Sequence, residues 1–110
     1  MSGDATGGWI ASASSVAAAL SAAEVKAAPG AGKSFVIEEI VFSNEGTANS
    51  FVVKDGDATV LYPPTGAIYL GANQTFNSGR LCIHVTANKN VNVTTAAADH
   101  STTIVNGYTA

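Results

Sequence analysis

KSFVIEEIVFSNEGTANSFVVKDGDATVLY, Lys33 to Tyr62, is the stretch whose reading decides the fold. Phe35 to Phe42 is rich in β-branched and aromatic residues, which suit a pleated surface better than a helix. Asn44-Glu45-Gly46 breaks the run with turn formers. Ser50 to Lys54 resumes it. Asp55-Gly56 is then a hairpin signal, because a type I′ turn needs positive φ at both central residues. Thr59 to Tyr62 returns, and Pro63-Pro64 stops it, since proline cannot donate to a ladder. With Asp55-Gly56 as the loop, Lys54 faces Asp57, Val53 faces Ala58 and Phe51 faces Val60. One face then holds Phe51, Val53, Ala58, Val60 and Tyr62, and the other is mixed, as expected of a sheet with one buried side. A slip of one residue would mix the faces, so the register is specified.

The flanking chain continues in the same style. Residues 16–28 are alanine-rich, which favours a helix. Glu24 to Ala27 alternates, however, and the expectation is a strand over about residues 22–28, with room for a one-turn helix before it. Ala67 to Gly71 is a short strand, and Asn73 to Gly79 reads as a loop pinned by Phe76. Arg80 to Thr86 alternates, with Leu81, Ile83 and Val85 on one face. Setting Val85 opposite Val93 makes a hairpin with the next strand through Asn88-Lys89-Asn90, since asparagine tolerates the left-handed conformation. Thr103 to Tyr108 is the last strand, with Ile104 and Tyr108 facing inward. About eight strands at this spacing predict an all-β fold, a single antiparallel β-sandwich (jelly-roll-like) or small barrel, over residues 16–110. Residues 1–15 are Gly, Ser and Ala with little to bury, and read as a flexible N-terminal arm.

Composition bounds the function. At 110 residues the chain makes one domain with a modest core. The apolar share of 46% is inflated by alanine: only 25 residues are Val, Ile, Leu or Phe. Charged residues are 12%, about half the usual ~25%. Net charge is −3, and the five cationic residues are scattered, so the counterion displacement that nucleic-acid binding needs has no basis. A surface of Ser, Thr, Asn and Gly resists self-association less than a charged one. One cysteine, Cys82, excludes an internal disulfide. The start lacks a basic segment and carries Asp4, unlike a signal peptide. No apolar run approaches the ~20 residues of a membrane helix. Two glycosylation sequons begin at Asn73 and Asn92, and read as ordinary polar β composition.

The motifs that suggest chemistry read more simply as structure. Gly30-Ala31-Gly32-Lys33-Ser34 looks like the end of a phosphate-binding loop. Ala27 stands where the pattern needs glycine, however, and a strand follows instead of a helix. Glu38-Glu39 cannot flank one substrate, because neighbours on a strand point to opposite faces; a bulge or an exposed sheet rim accommodates the pair. Cys82 and His84 share a face, but a metal needs three or four ligands. Asp99-His100-Ser101 is too contiguous to align a nucleophile and its base. Asp55 and Asp57 are explained by their turn. No catalytic residue, metal site or cofactor is expected, and the chain reads as non-enzymatic.

The stretch AAPGAGKSFVIEEIVFSNEGTANSFVVKDGD resembles small β-sandwich virion proteins of tailed bacteriophages, of the capsid decoration or cement, head-fibre and tail-accessory kinds. The shared features are Ala28 to Lys33, an apolar strand ending at Ser43-Asn44, and a strand closing at Lys54-Asp55-Gly56, within a likeness over about residues 25–110. A Met start and an end on the last strand also suit a small complete gene product. The resemblance implies a structural protein on the outer capsid lattice, made in the host cytoplasm and placed on the virion. It implies the major capsid protein as partner and self-association as a homotrimer; neither nucleic acid nor membrane is expected as ligand, on the scattered cations and short apolar runs. The alternative it implies is a receptor- or carbohydrate-binding module of a tail or head fibre, for which Tyr62, Tyr69 and Phe76 are candidate exposed aromatics. Trp9 and Ile10 are the candidate partner-binding residues. They either fold back on their own domain or dock on a neighbouring subunit or the capsid shell, because a buried ring brings large area at low entropy cost.

Overall fold

The computed structural model describes residues 8–110. Ten strands occur along them: β1 (Gly8–Ser15), β2 (Ala23–Lys26), β3 (Phe35–Asn44), β4 (Asn49–Asp55), β5 (Val60–Tyr62), β6 (Ile68–Leu70), β7 (Gln74–Asn77), β8 (Ile83–His84), β9 (Val91–Thr95) and β10 (Ser101–Thr109). One sheet has the order β1-β10-β3-β7, with β8 also on β3. The other has the order β2-β9-β4-β5, with β6 also on β4. The protein is an all-β sandwich of two antiparallel sheets, with ten strands where the sequence suggested about eight.

The core lies between the sheets. Phe35, Ile37, Ile40, Phe42 and Val105 come from one sheet, and Phe51, Val53, Val91 and Val93 from the other, all but wholly buried. Phe42 stacks on Phe51 across the gap, centroids 4.4 Å apart. The alternation of β4 is as the sequence indicated: Phe51 and Val53 face in. At one end the core turns polar, with Asn44, Asn49, Thr95, Ser101 and Thr103 buried.

Several local expectations give way to tertiary contacts. Gly8–Ser15, expected within the arm of residues 1–15, pairs with β10 along its whole length. Its small side chains close one side of the sandwich, so the sandwich takes in residues that the sequence left outside it; residues 1–7 lie outside the described residues. The alanine-rich segment before β2 makes no helical turn. The Thr95 N–H donates to the Leu20 carbonyl, the Leu20 N–H donates to Thr95 Oγ1, and the Leu20 side chain packs on the core, which fixes the segment along β9. The expected loop at Asn73 to Gly79 contains β7, held to β3 with Phe76 beside Phe42.

The hairpin after β4 is wider than a two-residue turn. The ladder pairs Val53 with Tyr62 and Lys54 with Val60 across a bulge, and the left-handed residue is Ala58 at φ 63°. The cause is the buried Asp55 carboxylate. Its Oδ1 accepts the N–H groups of Asp57 and Thr59 at 2.8 and 3.1 Å, which draws the turn out to Thr59. Val60 consequently faces solvent instead of the core. The expected β8–β9 hairpin is also absent: β8 pairs with β3 and β9 with β4, so Asn88-Lys89-Asn90 crosses between sheets. Asn88 does take the left-handed conformation, at φ 54°, while its Oδ1 accepts the Gly30 N–H at 3.0 Å.

The last strand is inverted relative to expectation. Ser101, Thr103, Val105 and Gly107 face in, while Ile104 is 37% exposed. Position 107 is held close to β3. A Cβ there would lie 2.1 Å from the Val36 carbonyl oxygen, so only glycine fits where β10 crosses the bulge of β3.

Candidate functional site

The two residues singled out for partner binding sit on β1 and part company there. Trp9 points inward. Its ring meets Phe35 edge-on with centroids 5.0 Å apart, and the Lys26 ammonium lies 5.6 Å from the ring centre. This is the fold-back alternative, and it leaves Trp9 occupied by its own sandwich. Ile10 points outward and is 76% exposed.

Ile10 belongs to a surface that the sequence reading missed. Along β1, β10 and β3 the register sets Ser12 beside Ile104 and Ile104 beside Val41. Ile10 pairs with Asn106 on the same outer face, diagonally next to Ile104. Ser14, Thr102 and Ser43 extend that face toward β7, where Ser43 Oγ and Thr75 Oγ1 are 3.4 Å apart. The outer face of these strands is therefore an apolar strip framed by hydroxyls, and from β1 across to β3 the charges beside it are Glu38 and Glu39, at one end. The signal available in the sequence was the strand parity of β10: with Val105 inside, Ile104 must lie outside.

The other candidates resolve into structure. Glu38 is the extra residue of a β-bulge: Asn106 pairs with Glu39 and Gly107 with Ile37, so Ile37 and Ile40 both face the core and both glutamates stay out. The bulge reading of that pair therefore holds. The two glutamates, Arg80 and Asn106 line an open hollow of about 360 Å³. There Asn106 Nδ2 donates to Glu39 Oε1 at 3.0 Å, and the Leu81 N–H donates to the Glu38 carbonyl at 2.7 Å. Cys82 Sγ and His84 Nε2 are 4.0 Å apart, and among the described residues no group of three or more His, Cys, Asp or Glu is placed to hold a metal. Gly30 to Ser34 is a turn, closed by the Lys33 N–H on the Gly30 carbonyl.

Asp99 and His100 lie side by side, with His100 Nδ1 3.6 Å from Asp99 Oδ1, but Ser101 does not join them. Asp99 Oδ2 accepts the Thr47 N–H at 2.6 Å and Oδ1 accepts the His100 N–H at 2.7 Å. These backbone donors, Thr47 first, hold the Asp99 carboxyl down to about 2. His100 is exposed and Ser101 turns into the core, so no nucleophile faces a base. Asp55 is a structural carboxylate. Burial pushes its pKa up, but the Thr86 hydroxyl at 2.6 Å and the N–H groups of Asp57 and Thr59 outweigh that and leave it lowered. Of the three candidate aromatics, Tyr62 and Phe76 face each other at 6.1 Å and pack on the core, while Tyr69 alone is open, 80% exposed. Of the sequons, Asn92 is buried and donates to the Asp55 carbonyl at 3.1 Å. No family model matches the chain, and no curated protein matches it.

Proposed function

We propose that this protein is a non-enzymatic structural component of a virion, a capsid decoration or cement protein that binds the outer lattice of the head. The observation that carries the reading is the outer face of β1 and β10, two strands without a charged residue, with Ile10 and Ile104 exposed. Its mechanism is burial. Apolar area removed from water is worth about 25 cal/mol per Å² before the entropy of association is subtracted. Ordering many copies against the major capsid protein multiplies that term into resistance to internal pressure. Self-association belongs to the same reading, and three copies per assembly is the number the resemblance implies.

Mass spectrometry of purified particles is the test. This chain should appear at a copy number matching a repeated position of the lattice, and particles stripped of it should rupture at lower temperature. Its absence from particles, or one copy per tail, would overturn the reading. The second reading, a receptor- or carbohydrate-binding module, has one favouring observation: Tyr69 stands exposed beside a shallow hollow lined by Asn49, Leu70 and Ala96. A glycan array separates the two, with Tyr69→Ala abolishing any signal that the second reading would require.

A further inference from the structure

We infer that the free edge of β1 is a self-complementary docking strand, and that a second copy of this chain pairs its own β1 against it, antiparallel about a two-fold axis. A sheet edge presents a row of unpaired N–H and C=O groups, and proteins blunt such edges with shortness, charge, proline or bulges. The remaining edges of this sandwich are blunted in these ways. β2 has four residues, a bulge, and both Glu24 and Lys26. β5 has three residues and a bulge. β7 has four residues, β6 three and β8 two. β1 has eight, GWIASASS, with no charge, no proline and an unbroken register to β10. Among the described residues no backbone group bonds to its outer side.

The sequence of β1 also says which strand fits. Two-fold pairing sets a strand against itself, so any charge in it would meet its like. The chain carries −3 overall, yet none of that charge lies in β1. The faces match only if paired residues share parity. Centring on Ala11 satisfies this: Ala11 meets its own copy, Ile10 meets Ser12, Trp9 meets Ala13, and Gly8 meets Ser14. The two outer faces then become one, joining the Ile10 and Ile104 strips of both copies. A three-fold assembly would need a head-to-tail contact instead, so this edge supplies a contact distinct from a trimer's. The inference does not rest on the shell reading, since a chain missing from particles would sink that reading and leave this one standing.

Sedimentation equilibrium of the full chain, from micromolar to millimolar, tests it together with hydrogen exchange. The expected result is a monomer–dimer equilibrium, with β1 amides gaining protection as concentration rises. Ile10→Lys and Ser12→Lys, both on the exposed face, should each weaken the dimer at least about tenfold with circular dichroism unchanged. If either variant misfolds, the concentration dependence of β1 exchange in the native chain decides. A monomer at every concentration would overturn the inference and leave the edge to a strand of another protein. An oligomer whose mass and β1 exchange are unmoved by both variants would overturn it too.

Discussion

Single side chains in this sandwich are decided by what they can bond once buried. Thr103 is wholly buried, and its Oγ1 has no partner among the described residues. An unpaired buried hydroxyl costs free energy that a methyl of the same shape does not. Thr103→Val should therefore stabilise the protein, by about 1 kcal/mol, read from the urea midpoint at constant m-value. Asp99 is the opposite case, a carboxylate whose value in the fold rests on its bonds. It ties the turn at Gly46 and Thr47 to the connection before β10. Its pKa is lowered from 3.8 to about 2 in the fold, so its contribution is fully present above 3.8 and lost as pH falls through about 2. Asp55 is shifted in the same direction. Thermal midpoints should hold steady down to about pH 4 and then fall, and Asp99→Asn should lower the midpoint at neutral pH while flattening that acid limb.

At the scale of one element, β3 shows how a strand with a wrong-looking pattern works. Its inward residues are Ile37, Ile40, Phe42 and Asn44, a sequence of positions that breaks period two between Ile37 and Ile40. Glu38 absorbs the break as the bulged residue. Deleting Glu38 should restore a regular ladder with both halves still facing correctly, at the loss of the Leu81 N–H bond, about 1–3 kcal/mol. Deleting Val41 should abolish folding, because Phe42 and Asn44 would turn to the outside. Urea melts of the two deletion proteins, side by side, check this.

For the molecule as a whole, the question is whether β1 folds with the rest. Trp9 is the chain's only tryptophan and lies against Phe35 in the core. Its fluorescence therefore reports the β1 side of the sandwich, while far-UV circular dichroism reports both sheets. A single domain of this size should unfold in one cooperative step, so the two signals are expected to share a midpoint. A fluorescence transition at clearly lower denaturant would show that β1 detaches as a separate unit.

The all-β class, the inward faces of β4 and β9 and the Glu38-Glu39 irregularity were legible in the sequence. They depend on local properties: alternation, turn chemistry and parity act within a few residues, where the chain itself is the evidence. Which strand lies beside which was not legible. GWIASASS has weak strand propensity and becomes β1 only because β10 offers it a partner. β8 and β9 look like a hairpin, yet their apolar faces are buried in different sheets. The candidate surface followed the same division. Ile10 was visible as an apolar residue with nothing local to bury it, while Ile104 joined it only through the inversion of β10. That inversion places Thr103 and Val105 in the core and Gly107 close on the Val36 backbone, and the strand's own pattern, apolar on both faces at Ile104 and Val105, does not choose between them.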